Sequence, residues 1–182
     1  MLIPIYILGL LQRFGPQHGY FIKKIIAEQL SDFTQIKLPT IYYHLEGMQK
    51  KGLVVATKEK PDSRPEKTIY EITALGIEFF NNGLNSFLTF EYQPSFPSDS
   101  VFYFSEHIDQ KAISENLETY CQKLMKSIEH IIIHQTETIK FVPEQMQNMV
   151  NIIFSHHLLH YKAELTWAKE SITLLKEKEK IK

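Results

Sequence analysis

Residues 38 to 76 constrain the fold more than any other part of the sequence. A helical segment with Pro39 in its first turn leads to Gly52, then to two β-branched stretches separated by a charged turn, and finally to Thr73, a residue typical of helix starts. A helix followed by a two-stranded ribbon with a basic tip is the layout of a winged helix. Such a module places its helix in the major groove of DNA and the ribbon tip beside it.

The segments on either side of this stretch fit the same fold. A first helix is predicted from Pro4 to Phe14, ending at Gly15-Pro16, where a helix cannot continue. His18-Gly19-Tyr20 opens a second helix, and the third is predicted from about 39 to 51. The strands are predicted at 53–57 and 68–72. The sequence therefore predicts a mainly α fold that contains a winged helix-turn-helix domain with a two-stranded wing.

The C-terminal half carries two long amphipathic patterns, separated at Phe141-Val142-Pro143. They predict an antiparallel helical hairpin, and their regular apolar spacing is typical of a coiled-coil-like seam that dimerises. The predicted domains are a DNA-binding domain at 1–92, a linker at 93–108 and a dimerisation domain at 109–182. The residues predicted to dimerise are the apolar and aromatic positions of the second pattern, Phe154, Leu158, Tyr161, Leu165, Trp167, Ile172 and Leu175.

Composition sets broad limits on the class of protein. The chain has 182 residues and a net charge of −1, so its overall charge gives no support to a nucleic-acid partner. The segment from Gln35 to Lys67, however, contains seven basic residues and only four acidic ones. The single cysteine excludes an intrachain disulfide, and no apolar run is long enough to span a bilayer. Because the amino terminus also lacks the features of a signal peptide, a cytoplasmic protein without a membrane partner is expected.

The N-terminal half resembles the PadR family of bacterial transcriptional regulators. The matching motifs appear in order over roughly 75 residues, and they are Ile7-Leu8-Gly9-Leu10-Leu11, His18-Gly19-Tyr20, Tyr42 with Leu45, Lys51-Gly52-Leu53, and Arg64-Pro65 with Tyr70, Thr73 and Gly76. The resemblance implies a homodimer that binds a palindromic operator in double-stranded DNA, usually as a repressor relieved by a small-molecule effector. Pro39-Thr40 departs from the small residue that the family often has here, which affects base preference but not the fold.

The third helix is predicted to contact DNA. Thr40, Tyr43 and His44 would reach the groove, and Tyr42 would hydrogen-bond a phosphate, unless one of the tyrosines is buried instead. The remaining residues of the predicted interface are Lys37, Gly19, Tyr20, Arg64 and Lys67. Since this helix has no arginine or asparagine for bidentate base contacts, backbone contacts and DNA shape are expected to carry much of the recognition.

Two other functions remain open from the sequence. A winged helix can also bind proteins without binding specific DNA. Two histidine pairs, His130/His134 and His156/His160, have the spacing of metal ligands on a helix and would suit a metal sensor, although solvated or interface histidines are the simpler interpretation. Trp167, Tyr161 and Phe154 could line an effector pocket rather than an interface. No enzyme motif is present, so neither catalysis, nor a cofactor, nor a bound metal is predicted.

Overall fold

The computed structural model describes residues 2–30, 34, 36–59, 67–92 and 94–179. Two compact units divide the chain, Met1–Tyr92 and Gln93–Lys182. The helices and strands of the first unit are α1 (Leu2–Phe14), α2 (Gly19–Gln29), α3 (Leu38–Lys50), β1 (Val54–Glu59), β2 (Lys67–Ile72) and α4 (Ala74–Ser86). Those of the second unit are α5 (Asp99–Tyr103), α6 (Gln110–Ile139) and α7 (Glu144–Glu179).

The first unit is built around one apolar core. α1, α2 and α3 each turn a face inward, and Leu8, Ile22 and Ile41 at its centre are fully buried. Burial of such a side chain stabilises the fold by roughly 1.5–3 kcal/mol. Tyr70 of β2 belongs to the same core. The wing is also fastened to the turn before α2, because Gln17 and Tyr70 exchange two backbone hydrogen bonds of 2.9 Å.

The junction between α3, the wing and α4 depends on one glycine and one threonine. Gly52 has a φ of 71°, the left-handed conformation predicted for a residue that ends a helix. Thr73 caps α4, accepting a 3.0 Å hydrogen bond from the backbone N–H of Gly76. Its hydroxyl also donates to the carbonyl of Gly52 over 2.7 Å. The Thr73 side chain therefore links the residue that follows β2 to the turn that precedes β1, at the base of the wing.

The wing is an antiparallel pair in which Val54 lies opposite Ile72 and Glu59 lies opposite Lys67. Its strands extend one or two residues further than the sequence predicts towards the tip. The tip residues, including Arg64, lie outside the described residues.

In the second unit α6 and α7 form an antiparallel pair. Hydrogen bonds join Gln110 to Leu175, Tyr120 to Glu164, and Gln135 to Asn151, so the partner of each residue moves back along α7 as α6 advances. Within 93–108, predicted as a linker, the structure has α5 and a 3₁₀ turn. Val101 and Phe102 of α5 pack on the core of the helical pair. The predicted fold class, a winged helix followed by a helical hairpin, is confirmed.

Candidate nucleic-acid interface

The exposed face of α3 is the centre of the candidate interface. Ile41, Leu45 and Met48 bury the opposite face, because their spacing of three and four residues places them on one side of a helix. Tyr43, by contrast, is 73% exposed. Its ring meets His44 edge to face, with centroids 5.3 Å apart, and Thr40 is half-buried one turn earlier. A large aromatic that the core does not use, beside an imidazole and a hydroxyl, offers hydrogen-bond donors and acceptors to a groove.

Tyr42 lies at the junction of α3 with α2. It is 37% exposed, and one edge of its ring covers Gly19. A Cβ atom at Gly19 would lie 2.8 Å from Cε1 and 2.9 Å from Cζ of Tyr42. Contacts between carbon atoms are ordinarily at least about 3.5 Å, so this approach requires glycine. Burial raises the pKa of Tyr70, and Tyr42 and Glu46 nearby add to the effect.

The start of α2 presents backbone N–H groups. His18 is the N-cap, and its Nδ1 accepts a 3.0 Å hydrogen bond from the N–H of Phe21. Tyr20 is 60% exposed beside it, whereas Gly19 is buried. N–H groups in the first turn of a helix lack intrahelical partners and suit a phosphate. The contribution of Gly19 to the interface is thus the space it leaves for Tyr42, together with its backbone.

The described part of the wing contributes Lys67, which is exposed at the start of β2. Its cross-strand neighbour is Glu59, which offsets part of its positive charge. Arg64, predicted to contact DNA from the wing together with Lys67, belongs to the part of the chain that the structure does not describe.

Lysines surround α3 at both ends. Lys37 is exposed at its N-cap. At its other end, Lys50 and Lys51 line an open groove of about 610 Å³ together with Tyr43 and His44. Sequence reasoning counted Lys50 and Lys51 as local positive charge but did not assign them to the site. Their positions seven and eight residues after Tyr43, two turns along the same helix face, could have indicated it.

Five of the seven predicted dimerisation residues pack against other parts of this chain. Phe154 is 1% exposed and lies edge to face on His134 of α6. The others that pack inside this chain, on the core formed with α6, are Leu165, Trp167, Ile172 and Leu175. These side chains already have intrachain partners, so their role in dimerisation stays a prediction. Large apolar side chains of α7 that are exposed in the single chain are Met146, Met149, Ile152, Ile153, Leu159 and Leu174.

Neither a metal site nor a membrane span is found in the described part of the chain. Rings of His130 and His134 lie 6.2 Å apart, and those of His156 and His160 lie 4.7 Å apart. Among the described residues, however, no three His, Cys, Asp or Glu side chains converge on one point as metal ligands would. None of the described helices has an apolar stretch long enough to cross a bilayer.

Comparison with known proteins finds a family model that matches the first unit and solved structures that share the fold. Residues 7–82 match the model of the transcriptional regulator PadR-like family. Three of the solved structures that share the fold illustrate the likeness. Bacillus subtilis PadR in complex with operator DNA matches with a TM-score of 0.74 and 19% identity, over 96% of this chain and 99% of that one. The same protein in complex with p-coumaric acid matches with a TM-score of 0.67 and 19% identity, over 96% and 95%.

The third structure is the Vibrio cholerae virulence activator AphA, with a TM-score of 0.71 and 19% identity over 96% of this chain and 98% of AphA. No curated protein sequence matches significantly. The coverage of these structures extends the likeness from the winged helix to the helical pair.

Proposed function

We propose that this chain, whose residues 7–82 match the transcriptional regulator PadR-like family, is a homodimeric, sequence-specific DNA-binding regulator of that family. The observation that carries the proposal is the outer face of α3. Tyr43 is 73% exposed there, over a helix whose other face is fully packed, and Lys37, Lys50 and Lys51 flank it. A helix supported in this way can enter the major groove while the lysines contact the phosphates on either side.

The proposed contacts follow the two kinds of group on this surface. Thr40, Tyr43 and His44 would contact base edges. The hydroxyl of Tyr42 would donate a hydrogen bond to a phosphate oxygen. Phosphate contacts would also come from lysines and from the start of α2, namely Lys37, Lys50, Lys51, Lys67, Gly19 and Tyr20. Arg64 would act at the wing tip. The base contacts would determine sequence specificity, whereas the phosphate contacts would contribute affinity, because they carry no direct information about the bases.

The proposed dimer would place two α3 helices roughly 34 Å apart, one DNA turn, on a palindromic operator in double-stranded DNA. The structure of Bacillus subtilis PadR in complex with operator DNA supports this arrangement. Like its family and the structures it resembles, the chain is proposed to regulate rather than catalyse, and to act on the chromosome in the cytoplasm. Repression is the expected direction, relieved by a small-molecule effector, as the p-coumaric acid complex of PadR supports.

The seam of this dimer is proposed to include the exposed apolar residues of α7. Met149, Ile152, Ile153 and Leu159 recur at intervals that keep them near one side of the helix, and a second copy would remove them from water. Ile152→Asp should therefore weaken dimerisation by at least tenfold, measured by sedimentation equilibrium, because it would bury a charge. Asn151→Asp is the matched control, since it adds the same charge one residue away, where Asn151 bonds Gln135. Equal effects of the two substitutions would contradict this seam.

DNA binding is tested by fluorescence anisotropy with duplexes from the region upstream of the coding sequence. Four lysines of the proposed interface lie in the described part of the chain, namely Lys37, Lys50, Lys51 and Lys67. If each contacts a phosphate in both protomers, a plot of the logarithm of DNA affinity against the logarithm of salt concentration should have a slope of about −7. Scrambled duplex of equal length is the control for specific binding. Affinity that is equal for the two duplexes, or independent of salt, would contradict the proposal. Transcription that rises when the protein is added without effector would contradict repression alone.

A further inference from the structure

The second unit contains an apolar cavity between α5, α6 and α7. Its volume is about 580 Å³, within the range of about 300–1,000 Å³ typical of small-molecule sites. The described residues that line it are Pro97, Ser98, Val101, Phe102, Ile108, Ala112, Ile113, Asn116, Leu117, Tyr120, Glu164 and Trp167.

Two aromatic rings and two aliphatic side chains give the cavity its shape. Phe102 of α5 meets Trp167 of α7 edge to face, with centroids 5.8 Å apart at 85°. Ile113 and Leu117 of α6 are buried beneath them. Pro97 lies at the exposed rim. Flat aromatic walls over an aliphatic floor suit a flat aromatic ligand that enters from the rim.

Four polar side chains line the cavity, Ser98, Asn116, Tyr120 and Glu164, and the last two are hydrogen-bonded to each other. The hydroxyl of Tyr120 donates to Oε1 of Glu164 over 3.1 Å. Burial, followed by this hydrogen bond, raises the pKa of Tyr120 to about 12, so the hydroxyl keeps its proton and remains directed to Glu164. Among the described residues of the lining, Glu164 is the one with a charged side chain. Its carboxylate can accept a further hydrogen bond, whereas a second carboxylate beside it would be repelled.

We propose that this cavity binds a small aromatic molecule whose polar end is a hydrogen-bond donor, a hydroxyl or an amine, placed against Glu164. A molecule whose only polar group is a carboxylate is rejected, because burying it beside Glu164 brings two negative charges together. The role of this molecule as the effector rests on the proposed function, but its binding does not. The cavity thereby selects the ligand by the sign of its charge as well as by its shape.

Trp167 makes binding directly measurable, since it is the single tryptophan of the chain and lies in the cavity wall. We would titrate the full-length protein with 4-phenylbenzylamine, 4-phenylbenzyl alcohol and 4-phenylbenzoate, which share one aromatic frame. Tryptophan fluorescence should change saturably with the amine and the alcohol, and calorimetry should give the same affinities. The carboxylate should bind at least about tenfold more weakly than the amine, because charge-assisted bonds are the strong ones.

Three variants locate the binding. Glu164→Gln should lower the affinity for the amine by about tenfold and change the affinity for the alcohol by no more than about threefold. It should also reduce the difference in affinity between the amine and the carboxylate. Glu129→Gln is the matched control, since it removes the same charge from an exposed position of α6 outside the lining, and it should change nothing. Ala112→Phe should fill the cavity and abolish binding of the amine and the alcohol while the circular dichroism of the helices is unchanged.

Several results would overturn the proposal. They are equal affinity for amine and carboxylate, no effect of Glu164→Gln, and no binding of any probe. If no probe binds and Trp167 is also shielded from an aqueous quencher, a second copy of the chain covers the cavity. DNA binding is measured in parallel on the same samples. Protein that binds DNA but no probe refutes only the cavity proposal, and protein that binds the amine but no DNA refutes only the proposed function.

Discussion

Gly19 should control DNA affinity through Tyr42, although it is buried. Gly19→Ala would put a methyl carbon 2.8 Å from Cε1 of Tyr42. Because ordinary carbon contacts begin at about 3.5 Å, the ring must withdraw by roughly 0.7 Å or more. Tyr42 is partly exposed, so it can move outward without opening the core. The free energy of unfolding should therefore change by no more than about 1 kcal/mol, since alanine also reduces the entropy of the unfolded chain.

DNA binding should change far more than stability. A displacement of roughly 0.7 Å takes a hydrogen bond of about 2.8 Å to the limit at which it counts as one. Loss of a hydrogen bond from the Tyr42 hydroxyl to a charged phosphate costs about 1.5–3 kcal/mol, which is roughly 10- to 150-fold in affinity for each half-site. Tyr42→Phe removes the same bond without moving the ring. Both substitutions should weaken operator binding by at least about tenfold.

The double variant gives the decisive comparison. If Gly19→Ala acts by displacing the hydroxyl, it should have little further effect once Tyr42→Phe has removed that hydroxyl, so the two losses should be strongly non-additive. The assay is fluorescence anisotropy at fixed salt, with a duplex selected from a random pool by the wild-type protein. Gly47→Ala is a control for the free energy of unfolding, since its Cβ would meet nothing within 4 Å, but not for DNA affinity, because Gly47 lines the same groove as Tyr43 and His44. Additive losses, or an unchanged affinity in Gly19→Ala, would refute the reasoning.

Three further predictions concern the lysines, the wing and the cavity. Lys50→Gln and Lys51→Gln should each make the salt slope of DNA binding shallower by about 1.8, that is about 0.9 for each protomer, whereas Lys169→Gln on α7 should leave it unchanged. Thr73→Val should cost about 1–2 kcal/mol in urea unfolding, because it removes the cap of α4 and the bond to Gly52; an unchanged midpoint would exclude that role. The pKa of Tyr120, about 12, should fall in Glu164→Gln but stay above the ordinary value of about 10, because burial is the larger cause. Ultraviolet titration against Tyr120→Phe measures this. Since the folded pKa is the higher one, the contribution of Tyr120 to stability is complete below about pH 10 and is lost as the pH rises through about 12.

Local signals made the winged helix predictable from the sequence. The predicted turn at Gly15-Pro16, the left-handed Gly52 and the cap Thr73 each depend on near neighbours, and each appears in the structure as predicted. The core face of α3 follows from spacing alone. The closeness of Gly19 to Tyr42 was not predictable, because it joins residues of two helices whose packing no local pattern specifies.

The helical pair shows where periodicity stops being informative. An apolar stripe on a helix indicates that this face packs against another element, but not whether that element belongs to the same chain or to a second copy. The seven residues predicted for dimerisation were chosen from such a stripe, and Phe154 and Trp167 among them pack on α5 or α6 of their own chain. The proposed seam of Met149, Ile152, Ile153 and Leu159 is a second, weaker set of apolar positions on the same helix. One face of α7 packs inside its own chain, and the proposed dimer would cover its second, exposed apolar face. Substitutions on the exposed face should therefore weaken dimerisation without unfolding the chain.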